Sequence, residues 1–202
     1  MLGTLYLAGA AVLWGLVHSI LAANTVKAAA RRFFGPVADR IYRFSYNLFA
    51  LASFFPLALM LYTFPDRPVY AIPEPWVYLT MLVQGAAFYA LLAGVMQTGL
   101  FEFAGLTQLS RLDRQAAPQL VTDGLYAHVR HPLYTAGLIL IWLNAEMTIN
   151  RLVLWAFLTL YLLIGAWFEE RKLLKEFGAV YAEYQARTPM FLPRLHLARS
   201  RS

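Results

Sequence analysis

The chain has 202 residues, 60% hydrophobic and 14% charged, with a net charge of +6 and a mean hydropathy of +0.53. A soluble domain carries about 25% charged residues, so lipid is the expected surrounding, and the length suits a single membrane domain over residues 1–202. The absence of cysteine excludes disulfides, thiolate metal sites and cysteine nucleophiles.

Five apolar stretches follow in order, and the chain is expected to be all-α and polytopic. Leu2–Ala23, Tyr46–Phe64 and Trp76–Gln97 each have the length of a span, which needs about 20 apolar residues. Leu133–Met147 and Leu152–Phe168 are shorter, separated only by Thr148–Arg151, and read as a tight helical hairpin or a re-entrant element. This divides the domain into three N-terminal spans (1–97), a connecting loop (98–132), the hairpin (133–168) and a tail (169–202). The connection between the second and third spans carries Pro65, Pro68, Pro73 and Pro75, which stiffen it and block helix continuation.

Lysine and arginine fall on alternate connections. Lys27, Arg31, Arg32, Arg40 and Arg43 follow the first span, and Arg111, Arg114 and Arg130 precede the fourth. Arg171, Lys172, Lys175, Arg187, Arg194, Arg199 and Arg201 follow the fifth, leaving Arg67 and Arg151 for the opposite side. The positive-inside rule then places the N-terminus outside and the C-terminus in the cytoplasm of a bacterial inner membrane. The same rule accounts for the basic balance, and no basic face with interleaved aromatics calls for nucleic acid. Membrane lipid is the expected partner, and nothing in the sequence sets an oligomeric state.

Antiparallel hairpin geometry brings Arg130, His131 and Tyr134, at the start of the fourth span, to the same edge as Glu169 and Glu170, at the end of the fifth. Ionisable groups at such a boundary often mark function. Pro132 suits a first helical turn, where its missing N–H costs nothing. The stretch Leu173–Tyr184 is amphipathic and is expected to lie on the membrane surface, with Gly178 able to bend it. Asn144 and Glu146 are expected to serve the far turn, and His128 and His196 the surface. The four histidines are scattered without ligand spacing, so no metal site is expected.

The segment Arg130-His131-Pro132-Leu133-Tyr134, followed by Glu169-Glu170, Phe177-Gly178, Tyr181, Tyr184 and Pro193, resembles the integral-membrane isoprenylcysteine carboxyl methyltransferase and phospholipid methyltransferase superfamily. The resemblance covers residues 119–193. His18-Ser19, Arg43 and Tyr46-Asn47 give a second likeness, to the NnrU-like and methanethiol S-methyltransferase group.

The resemblance implies S-adenosylmethionine as cofactor and a small-molecule or lipid acceptor. It implies cofactor contacts along Pro118 to Val121, including Gln119, Leu120 and Val121, and at Tyr126, His131, Pro132, Leu133, Tyr134 and Glu169. Catalytic roles are expected at Arg130, His131 and Glu170, and acceptor contacts at His18, Arg43 and Asn47. One departure bears on the acceptor. Prenylcysteine methyltransferases carry an arginine one turn before the glutamate, where this chain has Gly165, so a carboxylate acceptor lacks its cation. A thiol is therefore favoured, ahead of a phospholipid amine and a prenylcysteine; a non-catalytic NnrU-like membrane protein is the reading from another class.

Chemistry alone asks for the same kind of site. S-adenosylmethionine needs a cation for its carboxylate, an acid for its ammonium or ribose, and apolar walls for adenine. Arg130 or His131, Glu169 or Glu170, and Tyr126, Tyr134 and Trp167 supply such a set. The chain has no G-x-G, which excludes a dinucleotide-type fold. An amine or thiol acceptor would need to lose a proton, which His18 or His131 could take.

Overall fold

The computed structural model describes residues 1–99, 105–106 and 119–193; Arg111, Arg114, Pro118, Arg194, His196, Arg199 and Arg201 lie outside them. Helix α1 (Leu2–Ala22) is followed by α2 (Asn24–Phe34), α3 (Pro36–Thr63), strand β1 (Pro68–Ala71) and α4 (Trp76–Gln97). A 3₁₀ turn (Gly124–Ala127) then leads to α5 (Pro132–Trp142), strand β2 (Glu146–Thr148), α6 (Ile149–Phe177) and α7 (Ala179–Arg187). The fold is all-α apart from the two-stranded ribbon.

Helices α1, α3, α4 and α6 are long and apolar enough to cross a membrane. Their outward faces carry large apolar side chains such as Leu13, Leu51, Phe55, Leu82 and Leu160, exposed in the isolated chain. A water-soluble protein does not expose so much contiguous apolar surface, and the chain is an integral membrane protein.

The fourth expected span differs. Its helix, α5, is only 11 residues long, about 16 Å at 1.5 Å per residue. The Asn144 side-chain amide bonds back to the Ile141 carbonyl at 2.5 Å, closing the helix end. The chain then continues extended into β2, which pairs antiparallel with β1 through Tyr70↔Met147 and Ala71↔Glu146. The ribbon satisfies backbone groups that helix would otherwise have satisfied. The fifth expected span is the middle of α6, a 29-residue helix.

Two further differences concern the helix ends. Residues 24–34, expected as a loop, form α2, with Gly35 at φ 61° turning the chain into α3 and Pro36 opening that helix. The Leu173–Tyr184 stretch is not one surface helix. Gly178, at φ 56°, divides it between the end of α6 and α7, and Tyr181 and Tyr184 point inward, buried.

The packing has two halves. Leu7 and Ala11 of α1, Leu57 of α3 and Leu154 of α6 form a buried core, flanked by Trp14, Phe54 and Phe157. Gly15 lets α1 approach α6: a Cβ there would lie 2.8 Å from the Phe157 ring. In the other half α5 lies along α4, and Gly94 makes room for Leu133 in the same way. At the ribbon end, fully buried Asn150 joins three segments. It accepts from Thr4 Oγ1 at 2.8 Å, donates to the Pro65 carbonyl at 3.3 Å, and its backbone N–H donates to Asp66 at 3.0 Å.

Candidate active site

At the opposite end from the ribbon, the segment before α5 is held by the chain that follows α7. The Arg130 and His131 N–H groups donate to the Pro189 and Met190 carbonyls at 2.9 and 3.1 Å, and Thr135 Oγ1 donates to Phe191 O at 2.9 Å. With Pro132 opening α5, this clamp fixes Arg130 and His131 at the helix start, facing α6.

There they meet Glu170, which is 8% exposed. Arg130 donates to it in a fork, Nε at 2.8 Å and Nη2 at 2.9 Å. His131 Nε2 lies 2.8 Å away, Tyr181 OH donates at 2.9 Å, and the Gln185 amide donates as well. The remaining Arg130 nitrogen, Nη1, donates to the Thr188 and Gln185 carbonyls. A forked arginine–carboxylate pair is strong and orientation-specific, and here every member is occupied. Arg130 and Glu170 hold α5, α6 and α7 together.

Glu169, the next residue, has a different setting. Its side chain is 45% exposed, accepts from Tyr134 OH at 2.9 Å, and stands 3.7 Å from His131 Nδ1. The His131 and Tyr134 rings stack with centroids 5.2 Å apart. His131 thus links the buried carboxylate to the open one. Tyr126 comes from the 3₁₀ turn, which Gln97 at the end of α4 clamps by donating to Asp123 and accepting from the Leu125 N–H. Gly124, at φ 56°, allows that approach, since a Cβ would lie 2.5 Å from the Gln97 side chain. Tyr184 OH donates to the Tyr126 carbonyl at 2.6 Å.

Burial, then the charge of Glu169, pushes the Tyr126 phenol up. Burial pushes Tyr184 up to about 12, and burial plus its bond to Glu170 raises Tyr181 too. All three stay protonated donors at neutral pH.

The other expected residues distribute as follows. Gln119 is exposed and Leu120 and Val121 half-buried in the non-helical segment before the turn. Pro132 is buried, and Leu133 turns to Gly94 of α4, away from Glu169. Trp167, expected as an adenine wall, lies outside the cluster, its ring covered by Arg171 at 3.9 Å. His18 stands in a second, aromatic group: its Nε2 is 2.6 Å from Tyr46 OH, and its ring stacks on Trp14 at 4.8 Å. Tyr161 OH meets Ser19 Oγ at 2.9 Å and closes this group. Tyr161 is within electrostatic range of both Tyr46 and Tyr134, so the two groups adjoin. Asn47, half-buried, is next to Tyr46 on α3. Arg43, one turn earlier, is exposed and belongs to a basic patch with Lys27 and Lys172; burial, then those two charges, lowers the Lys27 pKa.

The sequence reading missed Gln97, Gln185 and Thr188. Gln185 was findable, standing four residues after Tyr181 on one face of α7. Among the described residues no group of three or more His, Asp or Glu could hold a metal ion.

No family model matches the chain, and neither does any solved structure. Curated relatives do. Methanethiol S-methyltransferase 2 of Bradyrhizobium diazoefficiens is 34% identical across 93% of this chain and 72% of its own length. Methanethiol S-methyltransferase 1 of the same organism is 30% identical across 90% of this chain, which spans only 64% of that relative. Protein-S-isoprenylcysteine O-methyltransferase of Schizosaccharomyces pombe is 36% identical over 37% of this chain and 33% of its own length. With a likeness of that extent to the methanethiol enzymes and a shorter one to the isoprenylcysteine enzyme, the chain belongs to the methanethiol S-methyltransferase family of the integral-membrane, isoprenylcysteine methyltransferase-like superfamily.

Proposed function

We propose that this protein is a membrane-embedded methyltransferase that binds S-adenosylmethionine at Glu169, Tyr134, Tyr126 and His131 and methylates a small thiol. The observation that carries this reading is Glu169, an open carboxylate aligned by Tyr134 beside a fully bonded ion pair.

The donor set fits the cofactor in part. Glu169 offers an acceptor to an ammonium or a ribose hydroxyl, and Tyr126 and Tyr134 offer aromatic walls. Arg130 is spent on Glu170 and on two carbonyls, so backbone N–H groups of residues 119–125 are the remaining seat for the cofactor's carboxylate. On this reading Arg130 and Glu170 are positioning residues, and His131 transmits their order to Glu169.

When bound, S-adenosylmethionine supplies a sulfonium methyl, which the thiol sulfur takes by in-line displacement while the C–S electron pair returns to the sulfonium and the thiol proton departs. The chain's own work is to orient the acceptor and exclude water. His18, paired with Tyr46, is the group on the acceptor side able to take the proton, because His131 has a carboxylate at each nitrogen. Asn47 beside Tyr46 and Arg43 at the rim complete that side.

The lysine and arginine asymmetry supports a cytoplasmic site, with the ribbon end outside a bacterial inner membrane. A thiol acceptor is supported by the names of the relatives and by Gly165; a phospholipid amine and a prenylcysteine are the other acceptors to try. Labelled-methyl transfer from S-adenosylmethionine to methanethiol, phosphatidylethanolamine and a prenylated cysteine tests this directly. Calorimetry with the cofactor accompanies it, and no binding at millimolar cofactor would return the chain to a non-catalytic role.

A further inference from the structure

Resting on the acceptor class just proposed, the geometry points to Gly137 and Gly165 as the residues that seat the acceptor and limit its size. The α5–α6 seam is tied at two places. Near the ribbon, Trp142 Nε1 donates to Thr159 Oγ1 at 2.8 Å; near the site, Tyr134 donates to Glu169 at 2.9 Å. Between them each helix carries one glycine, and a Cβ built at either meets nothing within 4 Å. Elsewhere the bundle uses glycine for contact: Gly15 and Gly94 have side chains packed where a Cβ would stand.

Helical register places this space inside the bundle. At 100° per residue, Gly165 lies on the arc of α6 that carries buried Leu154 and half-buried Tyr161, roughly 20° and 40° away. On α5, Gly137 lies between Leu133, which faces α4, and Tyr134, which faces Glu169. Trp142–Thr159 and Tyr134–Glu169 fix the seam, so both glycines fall on the side shared by Tyr134, Glu169 and Tyr161. Yet Gly165 is exposed despite its inward arc. The space adjoins Glu169 and Tyr134 at one end and Tyr161, next to the His18–Tyr46 pair, at the other.

Such a space suits a small apolar nucleophile. It has apolar walls and lies about one turn on the bilayer side of the Tyr134–Glu169 bond, roughly 5–6 Å along the axes. The two ties allow roughly 12 Å of seam in all, counted from Tyr134 to Trp142. An acceptor of one to a few carbons fits, and a longer chain meets the ties.

Gly137→Leu and Gly165→Leu, made singly in the full chain, fill the space, with Gly→Ala at each position as a folding control. Methyl transfer to methanethiol, ethanethiol and butanethiol is measured alongside the cofactor's Kd. Saturation-transfer NMR of ethanethiol, on protein loaded with S-adenosylhomocysteine, reads acceptor binding without turnover. The expected result is a fall in kcat/KM of tenfold or more in both leucine variants, steeper for butanethiol, and lost saturation transfer, with the cofactor Kd within twofold. Unchanged transfer and unchanged saturation overturn the inference, and so does a cofactor Kd that weakens in parallel. A wild type that binds ethanethiol in this space but transfers no methyl defeats the thiol methyltransferase reading and leaves the acceptor seat standing.

Discussion

Glu169 and Glu170 are neighbours in the chain and stand in opposite circumstances. Glu170 is buried and takes hydrogen bonds from Arg130, Tyr181 and Gln185 besides its contact with His131, whereas Glu169 is half-open and joined to Tyr134. Successive helical residues lie 100° apart. One therefore faces the α7 side of the bundle and the other the α5–α6 opening. Division of labour between the two carboxylates follows from that angle.

Substituting them separates stability from binding. Removing one partner of a buried pair leaves an uncompensated charge, which costs about 3–5 kcal/mol. Glu170→Ala is expected to lower the Tm of the detergent-solubilised protein by roughly 6–15 °C, at about 2–4 °C per kcal/mol for a chain of this size. Glu169→Gln is expected to leave the Tm within about 2 °C and to weaken S-adenosylmethionine about tenfold, as loss of a charge-assisted contact implies. Equal thermal losses in the two variants would count against the division.

Tyr134→Phe keeps the ring stacked on His131 and deletes only the donor to Glu169. A hydrogen bond to a charged group is worth about 1.5–3 kcal/mol, less where water can replace it. Calorimetry should show cofactor affinity reduced about three- to tenfold at unchanged Tm. An affinity equal to wild type would mean Glu169 needs no alignment.

Asn150 tests the far end. Asn150→Ala abandons the Thr4 hydroxyl and the Pro65 carbonyl in a dry environment, at about 1–3 kcal/mol. Chemical denaturation should show that loss, while kcat/KM below the transition stays within twofold of wild type. A large fall in kcat/KM would show coupling between the two ends.

Asp66 gives a pH signature. Burial alone would raise its pKa, but bonds from the Thr148 side chain and the Asn150 and Arg67 N–H groups outweigh it and hold the carboxyl below its ordinary value. A carboxyl depressed in the folded state contributes stability that is complete above its unfolded pKa, near 4. That stability is lost as the pH falls through the folded value. Tm measured between about pH 6 and pH 2 should fall more gently in Asp66→Asn than in wild type, from a lower plateau. Parallel curves would remove Asp66 from the acid limb.

Much of the site was legible because its two halves are local: Arg130–Tyr134 opens one helix, Glu169–Glu170 lies in the next, and a hairpin must bring them together. Their internal roles were hidden. Which carboxylate Arg130 takes depends on a rotation of α6 that α7 settles through Tyr181 and Gln185, and on a backbone clamp from residues 188–191. The expectation that Trp167 joins the cofactor's walls failed for the same reason, since that rotation turns it outward under Arg171. The ribbon was hidden because β1 and β2 are short and far apart in sequence, and because the apolar residues of Leu143–Met147 read as a continuation of helix. Helix α2 was hidden because charge is distributed through it and no apolar run announces it.

The ribbon has a mechanical consequence. By binding the α3–α4 connection to the α5–α6 connection, it makes the molecule a frame closed at one end, while the Arg130–Glu170 joint closes the other. Neither end can hinge without breaking a cooperative set of bonds, so motion that admits or releases a guest is a bowing of the frame's middle, where α5 is short and glycine-bearing. Such flexing leaves the Tyr134–Glu169 register intact, and traffic through the membrane face proceeds without disassembling the apparatus that aims the methyl group.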